Sequence, residues 1–359
     1  MEMLNGFKDS KLSMNLINKI KNEKSEKISI MEVCGTHTNV ILKSGIKSLL
    51  PNNIKLINGP GCPVCVTSQG YIDTAIELTN RKNIIITTFG DLMKVPGKDS
   101  TLNKEKALGK DIIVVYSPLD SIKIAEDNPN KEVVFLAIGF ETTAPIIALS
   151  IEIAQSKKIR NFSILNSLKT MPQAMESLVL NPNLKVDAFL CPGHVATIIG
   201  EEQFKNLALK YKIPMVITGF EINDILASIC KIVEMKNKCE NELVNLYSRF
   251  VKKEGNINAI NIIYEVFNEC ESYWRGLGKV NNAGLEIKEK YKEFDSLSKF
   301  NISFFKENDN KGCSCGEVLI GLKEPRECKL FGIVCTPLTP IGACMVSEEG
   351  ACSAYYKYC

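Results

Sequence analysis

Residues 54–79 read IKLINGPGCPVCVTSQGYIDTAIELT, and this stretch predicts a strand, a tight loop and a helix in succession. Residues 54–57 form a short apolar run rich in β-branched side chains, which favours a strand. Apolar residues then recur with helical spacing over residues 71–79, so we expect a helix that begins near Ser68. Strand–loop–helix units of this kind build α/β folds with parallel sheets.

The same pattern recurs over much of the chain. Further β-branched runs lie at residues 28–33, 84–88, 111–116, 132–138, 162–166, 186–190 and 214–218. Longer stretches with helical spacing, such as residues 145–154, separate most of them. Continuous apolar strands between helices indicate buried parallel sheets. The number of strands favours two consecutive Rossmann-like α/β domains over a single sheet.

The predicted domains divide the chain into three parts. Residues 1–125 form the first α/β domain, with the CGTH and GPGCPVC motifs, and residues 126–235 form the second, with the GFETT and PGHV motifs. Residues 236–359 form a C-terminal helical and loop-rich domain. Helices are expected at residues 221–234, 241–252 and 258–268, and no regular pattern follows Trp274. The tail from Gly312 onward is rich in Gly, Pro and Cys, so a metal cluster or covalent links would have to stabilise it.

Composition excludes several classes of protein. The 359 residues are 45% hydrophobic and 24% charged, with a net charge of +3, as in an ordinary globular protein. No lysine-rich block with interleaved aromatics predicts nucleic-acid binding. No apolar run approaches the roughly 18 residues of a membrane span, and residues 1–29 are too polar for a signal peptide. We therefore expect a cytoplasmic protein, in which clustered cysteines are metal ligands or redox groups.

The GPGCPVC motif lies where ligands bind in open α/β sheets, at the carboxyl end of a strand. Glycine lets the backbone turn sharply and approach a ligand closely. The Cys62-x-x-Cys65 spacing brings two sulfurs within reach of each other or of one metal, and a following helix N-terminus favours the thiolate. Two buried cysteines in a turn and a thioredoxin-like motif are the alternatives.

Cys34 and His37 form a second candidate site, between the strand at residues 28–33 and a helix at residues 39–50. Thiolate and imidazole together suit iron, zinc or copper. Alternatively, His37 is a base that holds Cys34 as thiolate. The remaining alternative is an unremarkable loop cysteine beside a capping threonine.

Three more polar side chains directly follow predicted strands: Asp91, Glu141 and His194. In an α/β fold they would lie on the same rim as the cysteines, although each by itself is more simply explained as a helix cap or a loop hydrogen-bonding group. The chain has no phosphate-binding loop and no Gly-x-Gly-x-x-Gly motif. Its two histidines exclude a multi-histidine metal site.

The tail contains a dispersed set of cysteines: Cys315, Cys328, Cys335, Cys344 and Cys352. Structural zinc sites usually show paired short spacings, which are missing here. An iron–sulfur cube tolerates such spacing because each iron takes a single thiolate. We therefore predict a [4Fe–4S] cluster held by four of the five, with the fifth as a redox partner. Zinc, disulfides and free thiols are the alternatives.

Five further cysteines have no predicted site role. Cys313 and Cys359 are the least constrained cysteines of the tail, and Cys230, Cys239 and Cys270 are most simply packing residues.

Taken together, these motifs resemble the HypD family of [NiFe]-hydrogenase maturation factors. The resemblance rests on Cys34-Gly-Thr-His37, Gly59-Pro-Gly-Cys-Pro-Val-Cys65, Gly139-Phe-Glu-Thr-Thr143, Pro192-Gly-His-Val195 and the tail motif at residues 342–356. It spans nearly the whole chain. It implies two α/β domains, a C-terminal [4Fe–4S] domain, and a scaffold on which the Fe(CN)2CO unit of the hydrogenase active site is assembled. It also implies the small partner HypC, and cyanide from HypE, which HypF loads.

The resemblance further implies roles for individual residues. Cys34, Cys62 and Cys65 would be the iron-binding and redox-active thiols of the Fe(CN)2CO unit. His37, Asp91, Glu141 and His194 would line the cleft, where they orient cyanide or move protons.

Three functions are thus distinguishable at this point. The first is a scaffold with redox activity, rather than a conventional turnover enzyme. The second is a cluster-linked thiol–disulfide oxidoreductase that acts on a protein disulfide and needs Cys62 and Cys65 but not Cys34. The third is a zinc-stabilised interaction module.

Overall fold

Two parallel sheets and one antiparallel hairpin form the framework of the protein, in a computed structural model that describes residues 9–23, 25–306 and 312–359. The strands are β1 (Ile28–Glu32), β2 (Ile54–Asn58), β3 (Ile84–Thr88), β4 (Ile112–Val114), β5 (Glu132–Gly139), β6 (Phe162–Leu168), β7 (Ala188–Pro192), β8 (Met215–Thr218), β9 (Leu243–Asn245), β10 (Phe267–Trp274) and β11 (Gly278–Ile287).

Helices connect and cover these strands. The α-helices are Ser10–Asn22, Gly35–Lys43, Ile46–Leu49, Pro63–Val66, Gln69–Thr79, Leu102–Ala107, Pro118–Asp127, Ala144–Ser156, Met171–Val179, Gly193–Ile199, Glu202–Tyr211, Ile222–Asn237, Ile257–Val266, Ser296–Phe300, Cys315–Leu319 and Ala351–Tyr358. Short 3-10 helices are Gly90–Lys94, Glu289–Phe294, Pro325–Glu327 and Ala343–Met345. The helix expected near Ser68 begins there because the Ser68 hydroxyl accepts a hydrogen bond from Tyr71 N–H at 3.1 Å, which caps the first turn.

The first sheet has the strand order β2-β1-β7-β8-β9 and the second has the order β4-β3-β5-β6. Every strand pair in these two sheets is parallel. The prediction of an α/β fold with two parallel sheets is therefore confirmed, and all eight strands predicted from β-branched runs are present.

The two sheets do not follow one another along the chain, however. The chain leaves the first sheet after β2, builds the whole second sheet from β3 to β6, and returns to the first sheet at β7. The boundary predicted between residues 125 and 126 thus falls inside the second sheet, between β4 and β5. Apolar runs identify strands, but pairing between segments distant in sequence decides which sheet each joins.

The region after residue 235 differs from its prediction in two places. The helix expected at residues 241–252 is wrong, because Leu243–Asn245 is the edge strand β9 of the first sheet. The chain after Trp274 forms β11, which pairs with β10 in an antiparallel hairpin, instead of an irregular segment. The polar residues at 281–282 hide the strand alternation in β11.

One buried cluster joins both sheets and the tail. It includes Met31 and Ile57 of the first sheet, Ile86 of the second, and Cys315 and Cys344 of the C-terminal region. The carboxyl edges of the two sheets are therefore held in one packed core together with the tail cysteines.

The hairpin packs onto the second sheet through the only tryptophan of the chain. Trp274 is fully buried, its ring stacks on Phe140 with a centroid distance of 5.7 Å, and its indole N–H donates to Ala283 O at 3.0 Å. The buried Lys169 ammonium donates to Tyr273 O at 2.7 Å. These contacts fix the hairpin against the end of β6.

No helix in the described ranges combines the length and the apolar character needed to cross a lipid bilayer.

We expect Trp274→Ala to destabilise the fold strongly. Removing a large buried aromatic ring leaves a cavity and costs about 3–5 kcal/mol. Urea unfolding followed by far-ultraviolet circular dichroism measures this change. Tyr116→Ala is the matched control, because Tyr116 is 96% exposed and its removal should change the free energy of unfolding by less than about 0.5 kcal/mol. Equal stability of the two variants would contradict the packing role of Trp274.

Candidate functional site

Cys34 lies directly after β1 and is the N-cap residue of helix Gly35–Lys43. Its side chain is 8% exposed. Burial raises the pKa of the Cys34 thiol to about 12; the nearby Glu349 and Glu32 carboxylates add to the effect, while the N–H groups of His37 and Thr36 oppose it. Cys34 is therefore a neutral thiol here, and a bound cation would be needed to convert it to thiolate.

Cys62 and Cys65 are joined in a disulfide, and both are buried. Cys62 follows the loop after β2 and caps helix Pro63–Val66, where its sulfur accepts a hydrogen bond from Cys65 N–H at 3.1 Å. The two sulfurs of the CxxC motif are thus paired with each other.

The Cys34 loop and the disulfide loop meet through backbone atoms. Gly35 N–H donates to Gly61 O at 3.0 Å, and Gly59 N–H donates to Glu32 O at 2.8 Å. A Cβ atom on Gly61 would overlap the backbone N and Cα of Cys34. Only glycine permits this approach, which brings the three upstream cysteines to one edge of the first sheet.

Glu32 is a buried carboxyl beneath the Cys34 loop that the motif analysis missed. It accepts hydrogen bonds from Cys34 N–H at 3.1 Å, from Asn58 Nδ2 at 2.9 Å and from the Thr38 hydroxyl. Burial raises its pKa to about 8, although these three donors oppose the shift. The sequence signal that could have identified Glu32 is its charge, since it lies inside an apolar strand run two positions before Cys34.

His37 is buried on the same edge. Its Nε2 lies 3.0 Å from Gly219 O, which assigns the proton to Nε2 and leaves Nδ1 as an acceptor that has no partner among the described residues. Burial lowers the pKa of His37 to about 4, so the imidazole is neutral near pH 7.

Both histidines of the chain converge on Phe220. The His194 ring stacks on Phe220 at a centroid distance of 3.7 Å, and the His37 ring stacks on the same side chain at 4.8 Å. Partial burial lowers the pKa of His194, whose side chain still reaches solvent. The loops after β1, β7 and β8 therefore meet around one aromatic ring, and Phe220 is a second residue that the motif analysis missed.

Asp91 reaches the Cys34 loop through the tail. Partial burial raises the pKa of Asp91, and the Glu348 carboxylate adds to this shift. Glu349 packs against Gly35, and its carboxylate accepts a hydrogen bond from the Thr36 hydroxyl at 3.3 Å. Asn39 Nδ2 donates to Glu348 O at 3.2 Å. Residues 347–350 thus lie across the Cys34 loop and connect it with the edge of the second sheet.

Glu141 faces a different part of the rim. Its Oε1 accepts a hydrogen bond from Met171 N–H at 2.8 Å, and its Oε2 has no partner among the described residues. Burial raises its pKa to about 7, and the nearby Glu269 carboxylate contributes. In the described ranges no hydrogen bond joins Glu141 to a cysteine or to the other predicted rim residues.

The tail cysteines gather in one region, and Cys313 lies among them. Cys344 Sγ is 3.0 Å from Cys352 Sγ, and the Cys344 side chain also hydrogen-bonds Cys315. The Gly342 backbone packs against the sulfur of Cys313, which is not one of the five cluster ligands predicted from the sequence. An adjacent cavity of about 450 Å³ is lined by a larger set that includes Arg275, Gly276, Cys313, Cys315, Gly316 and Gly342.

The chemistry of this region fits an iron–sulfur cluster. Burial acts to raise the pKa of Cys328, but backbone N–H groups of Ser314, Leu330 and Phe331 outweigh it, and the pKa is lowered. Ile341 N–H donates to Cys335 Sγ at 3.3 Å. Within the described residues no three Cys, His, Asp or Glu side chains converge as ligands of one metal ion. A four-iron cluster does not require such convergence, because each thiolate binds a different iron.

The tail also contacts the disulfide segment directly. Cys65 Sγ lies 4.0 Å from the carbonyl oxygen of Ala343, and Ala343 directly precedes Cys344. Arg275, which lines the cysteine cavity, donates from its backbone N–H to Val66 O at 2.9 Å and from Nη2 to Thr67 O at 2.9 Å. The sequence did not reveal whether the tail folds back to Cys62 and Cys65, and the structure answers that it does.

Comparison with known proteins shows the family of the chain. The family model HypD, described as a hydrogenase formation hypA family, matches residues 11–359. The chain belongs to the HypD family. It is therefore a hydrogenase maturation factor of the HypD type, as its motifs predict.

Individual HypD relatives align with nearly the whole chain. HypD2 of Bradyrhizobium diazoefficiens is 42% identical over 368 residues, which cover 100% of this chain and 97% of the relative. HypD of Azotobacter vinelandii is 41% identical over 367 residues, which cover 100% of this chain and 97% of the relative. HypD of Escherichia coli is 42% identical over 334 residues, which cover 92% of this chain and 89% of the relative.

We expect Gly61→Ala to destabilise the site, because the added methyl group overlaps backbone atoms of Cys34 that cannot move without breaking the Gly35–Gly61 hydrogen bond. Overpacking of this kind costs about 1–3 kcal/mol. Urea unfolding followed by Trp274 fluorescence measures it. In the control Gly90→Ala, the new methyl group would meet only a Val114 methyl at 3.7 Å, an ordinary contact. Similar unfolding midpoints for both variants would contradict the close approach.

We expect Glu141→Gln to change the pH dependence of stability. The pKa of Glu141 rises from 4.5 to about 7 on folding, so the folded chain holds an extra proton between these values and loses stability as pH rises through them. The amide loses no proton, so from pH 5 to pH 8 the variant should gain about 2 kcal/mol relative to the native protein. Unfolding by urea at several pH values tests this, with the exposed Glu293→Gln as control. Parallel profiles for native protein and Glu141→Gln would refute it.

Proposed function

We propose that this HypD-family protein is the scaffold on which the Fe(CN)2CO unit of the [NiFe]-hydrogenase active site is assembled. In this proposal Cys34 binds the iron, and Cys62 and Cys65 either bind it or change between dithiol and disulfide. The observation that carries the proposal is the Gly35 N–H to Gly61 O contact of 3.0 Å, which unites the Cys34 loop and the Cys62–Cys65 loop at one sheet edge.

The surroundings of Cys34 suit a soft iron ligand. Iron that carries cyanide and carbon monoxide prefers thiolate donors. Cys34 is enclosed by β1, the glycine loop and residues 347–350, and this enclosure would protect such an iron from water. A second thiolate would come from the small partner, a HypC-type chaperone. Cyanide would come from HypE, itself loaded by HypF.

Cys62 and Cys65 provide a two-electron group beside the proposed iron. Reduction of their disulfide takes two electrons and two protons and leaves two thiols, either of which can then bind iron as thiolate. The exposed rim residues Asp91 and His194 and the buried His37 would move protons or orient cyanide near this position. Glu141 keeps its proposed role in the cleft, but its contacts support that role least.

In the tail, four of the cysteines 313, 315, 328, 335 and 352 would hold a [4Fe–4S] cluster. When bound, such a cluster supplies one electron at a time. We add Cys313 to the five candidates expected from the sequence, because its sulfur lies against Gly342 beside Cys315. Cys344 follows Ala343, whose carbonyl contacts Cys65 Sγ, so we assign Cys344 the role of redox partner rather than cluster ligand.

A thiol–disulfide oxidoreductase that acts on a protein disulfide is less well supported. The Cys62 and Cys65 side chains are only 2% and 0% exposed, and Ala343 covers Cys65. A disulfide on another protein would not reach them without displacement of the tail. This enclosure favours the scaffold, whose reaction partner is a small iron complex.

The experiment is infrared spectroscopy of protein purified anaerobically together with a HypC-type chaperone. Cyanide and carbonyl stretches appear in a window free of protein bands. Native protein should carry these bands together with several iron atoms and acid-labile sulfide per chain. Cys34→Ala should lose the bands but keep the iron and sulfide of the tail, because the two sites use different cysteines.

The matched control is Cys230→Ala, since Cys230 is a buried cysteine on helix Ile222–Asn237, in a core cluster that contains neither site. It should keep both the bands and the sulfide. Bands that persist in Cys34→Ala would refute the assignment of Cys34 as the iron ligand. Zinc without acid-labile sulfide in the native protein would instead favour a zinc-stabilised interaction module.

A further inference from the structure

The loop that follows Cys328 exposes an unusual amount of apolar surface. Leu338 is 92% exposed and Ile333 is 80% exposed, and Val334 between them is also exposed. The Thr339 hydroxyl donates to Val334 O at 2.9 Å, which holds the two halves of the loop together. Clustered exposed apolar side chains, unlike scattered ones, mark interaction surfaces.

A groove of about 580 Å³ adjoins this apolar surface and is rimmed by positive charge. Its lining includes Leu338 and Ile341 on one side and Lys94, Lys98 and Lys104 on the other, against one acidic residue, Asp99. Lys94 and Lys104 are exposed and form no ion pair with any residue that the structure describes. A groove of this kind attracts a negatively charged partner.

The groove leads directly to the tail cysteines. Ile341 lines both the lysine-rimmed groove and the cavity that contains Cys313 and Cys315. Its backbone N–H donates to Cys335 Sγ at 3.3 Å. A molecule seated in the groove would therefore be separated from the nearest sulfurs by a single residue.

We propose that the lysine-rimmed groove, together with Ile333, Val334 and Leu338, is the docking face for a small acidic protein that carries a one-electron iron–sulfur or flavin group. The inference rests on the proposed redox role of the tail, which would need electrons from an outside donor. Reduction of the Cys62–Cys65 disulfide needs two electrons, so two docking events supply one electron each. Each leaves one carrier oxidised, and two protons from solvent complete the two thiols.

The partner's chemistry follows from the surface. The lysines around the apolar centre of this surface are complementary to a carrier that has acidic residues around its own apolar centre. Electrostatic attraction between such surfaces raises association rates about 10- to 1000-fold at low ionic strength. A second copy of this chain is disfavoured as occupant, because like lysine rims would face each other. A HypC-type chaperone is a further candidate that the experiment distinguishes.

The experiment mixes reduced bacterial-type ferredoxin anaerobically with the full chain and follows ferredoxin oxidation by visible absorbance. In Leu338→Glu and in the double variant Lys94→Glu, Lys104→Glu, the second-order rate constant should fall about tenfold or more, and the double variant should lose most of the salt dependence. Leu180→Glu is the control, because Leu180 is an exposed leucine at the end of helix Met171–Val179, outside the groove. Equal rates for Leu338→Glu and Leu180→Glu overturn the proposal.

Binding of redox-inert, gallium-substituted ferredoxin, measured by calorimetry, separates this proposal from the proposed function. Affinity that falls in Leu338→Glu supports the docking face even if metal analysis finds no cluster in the tail. If Leu338→Glu binds this ferredoxin as tightly as native protein does, the proposed docking face is wrong. In that case, loss of self-association in sedimentation would show that the surface binds a second copy of the chain, and loss of chaperone binding would show that it binds a HypC-type chaperone. Iron, sulfide and infrared bands measured on the same samples report on the scaffold function independently.

Discussion

The close approach of two glycine-containing backbones is the constraint on which the candidate site depends. Gly61 comes near enough to the Cys34 loop for Gly35 N–H to donate to Gly61 O only because Gly61 has no side chain, since a Cβ there would overlap the Cys34 backbone. This contact brings the end of β1 against the loop after β2, and Glu32 reinforces it from below by accepting three hydrogen bonds. Cys34 and the Cys62–Cys65 disulfide could not share one edge of the sheet if either loop were bulkier.

The C-terminal tail depends on the same contact. Glu349 packs on Gly35, and Ala343 packs beside Cys65, so the tail crosses both loops where they meet. Arg275 adds a third connection, since it binds the carbonyl groups of Val66 and Thr67 and lines the cavity beside Cys315. The tail cysteines, the disulfide and Cys34 therefore belong to one packed unit, which is a physical requirement for exchange of electrons among them.

Burial gives this unit an unusual electrostatic character. It raises the pKa of Glu32 and Cys34 and lowers that of His37, so in each case the uncharged form is favoured. The interior of the site thus carries little charge although it is rich in ionisable groups. A cation bound there would meet little screening by water, and its charge would decide which of these groups give up a proton.

The sequence by itself determined the α/β class and the eight strands found from β-branched runs. It also placed five site residues after strands: Cys34, Cys62, Cys65, Asp91 and His194. These features could be predicted because strand patterns and loop composition are local properties of the sequence. Only the tertiary structure decided that β3 to β6 form a sheet inserted between β2 and β7, and that Glu32 and Phe220 lie beside Cys34 and the two histidines. It also decided that Cys313 joins the tail cysteines and that the tail reaches Cys65. The physical reason is that strand pairing and loop contacts join segments far apart along the chain. The local sequence around a glycine does not indicate which distant backbone packs against it.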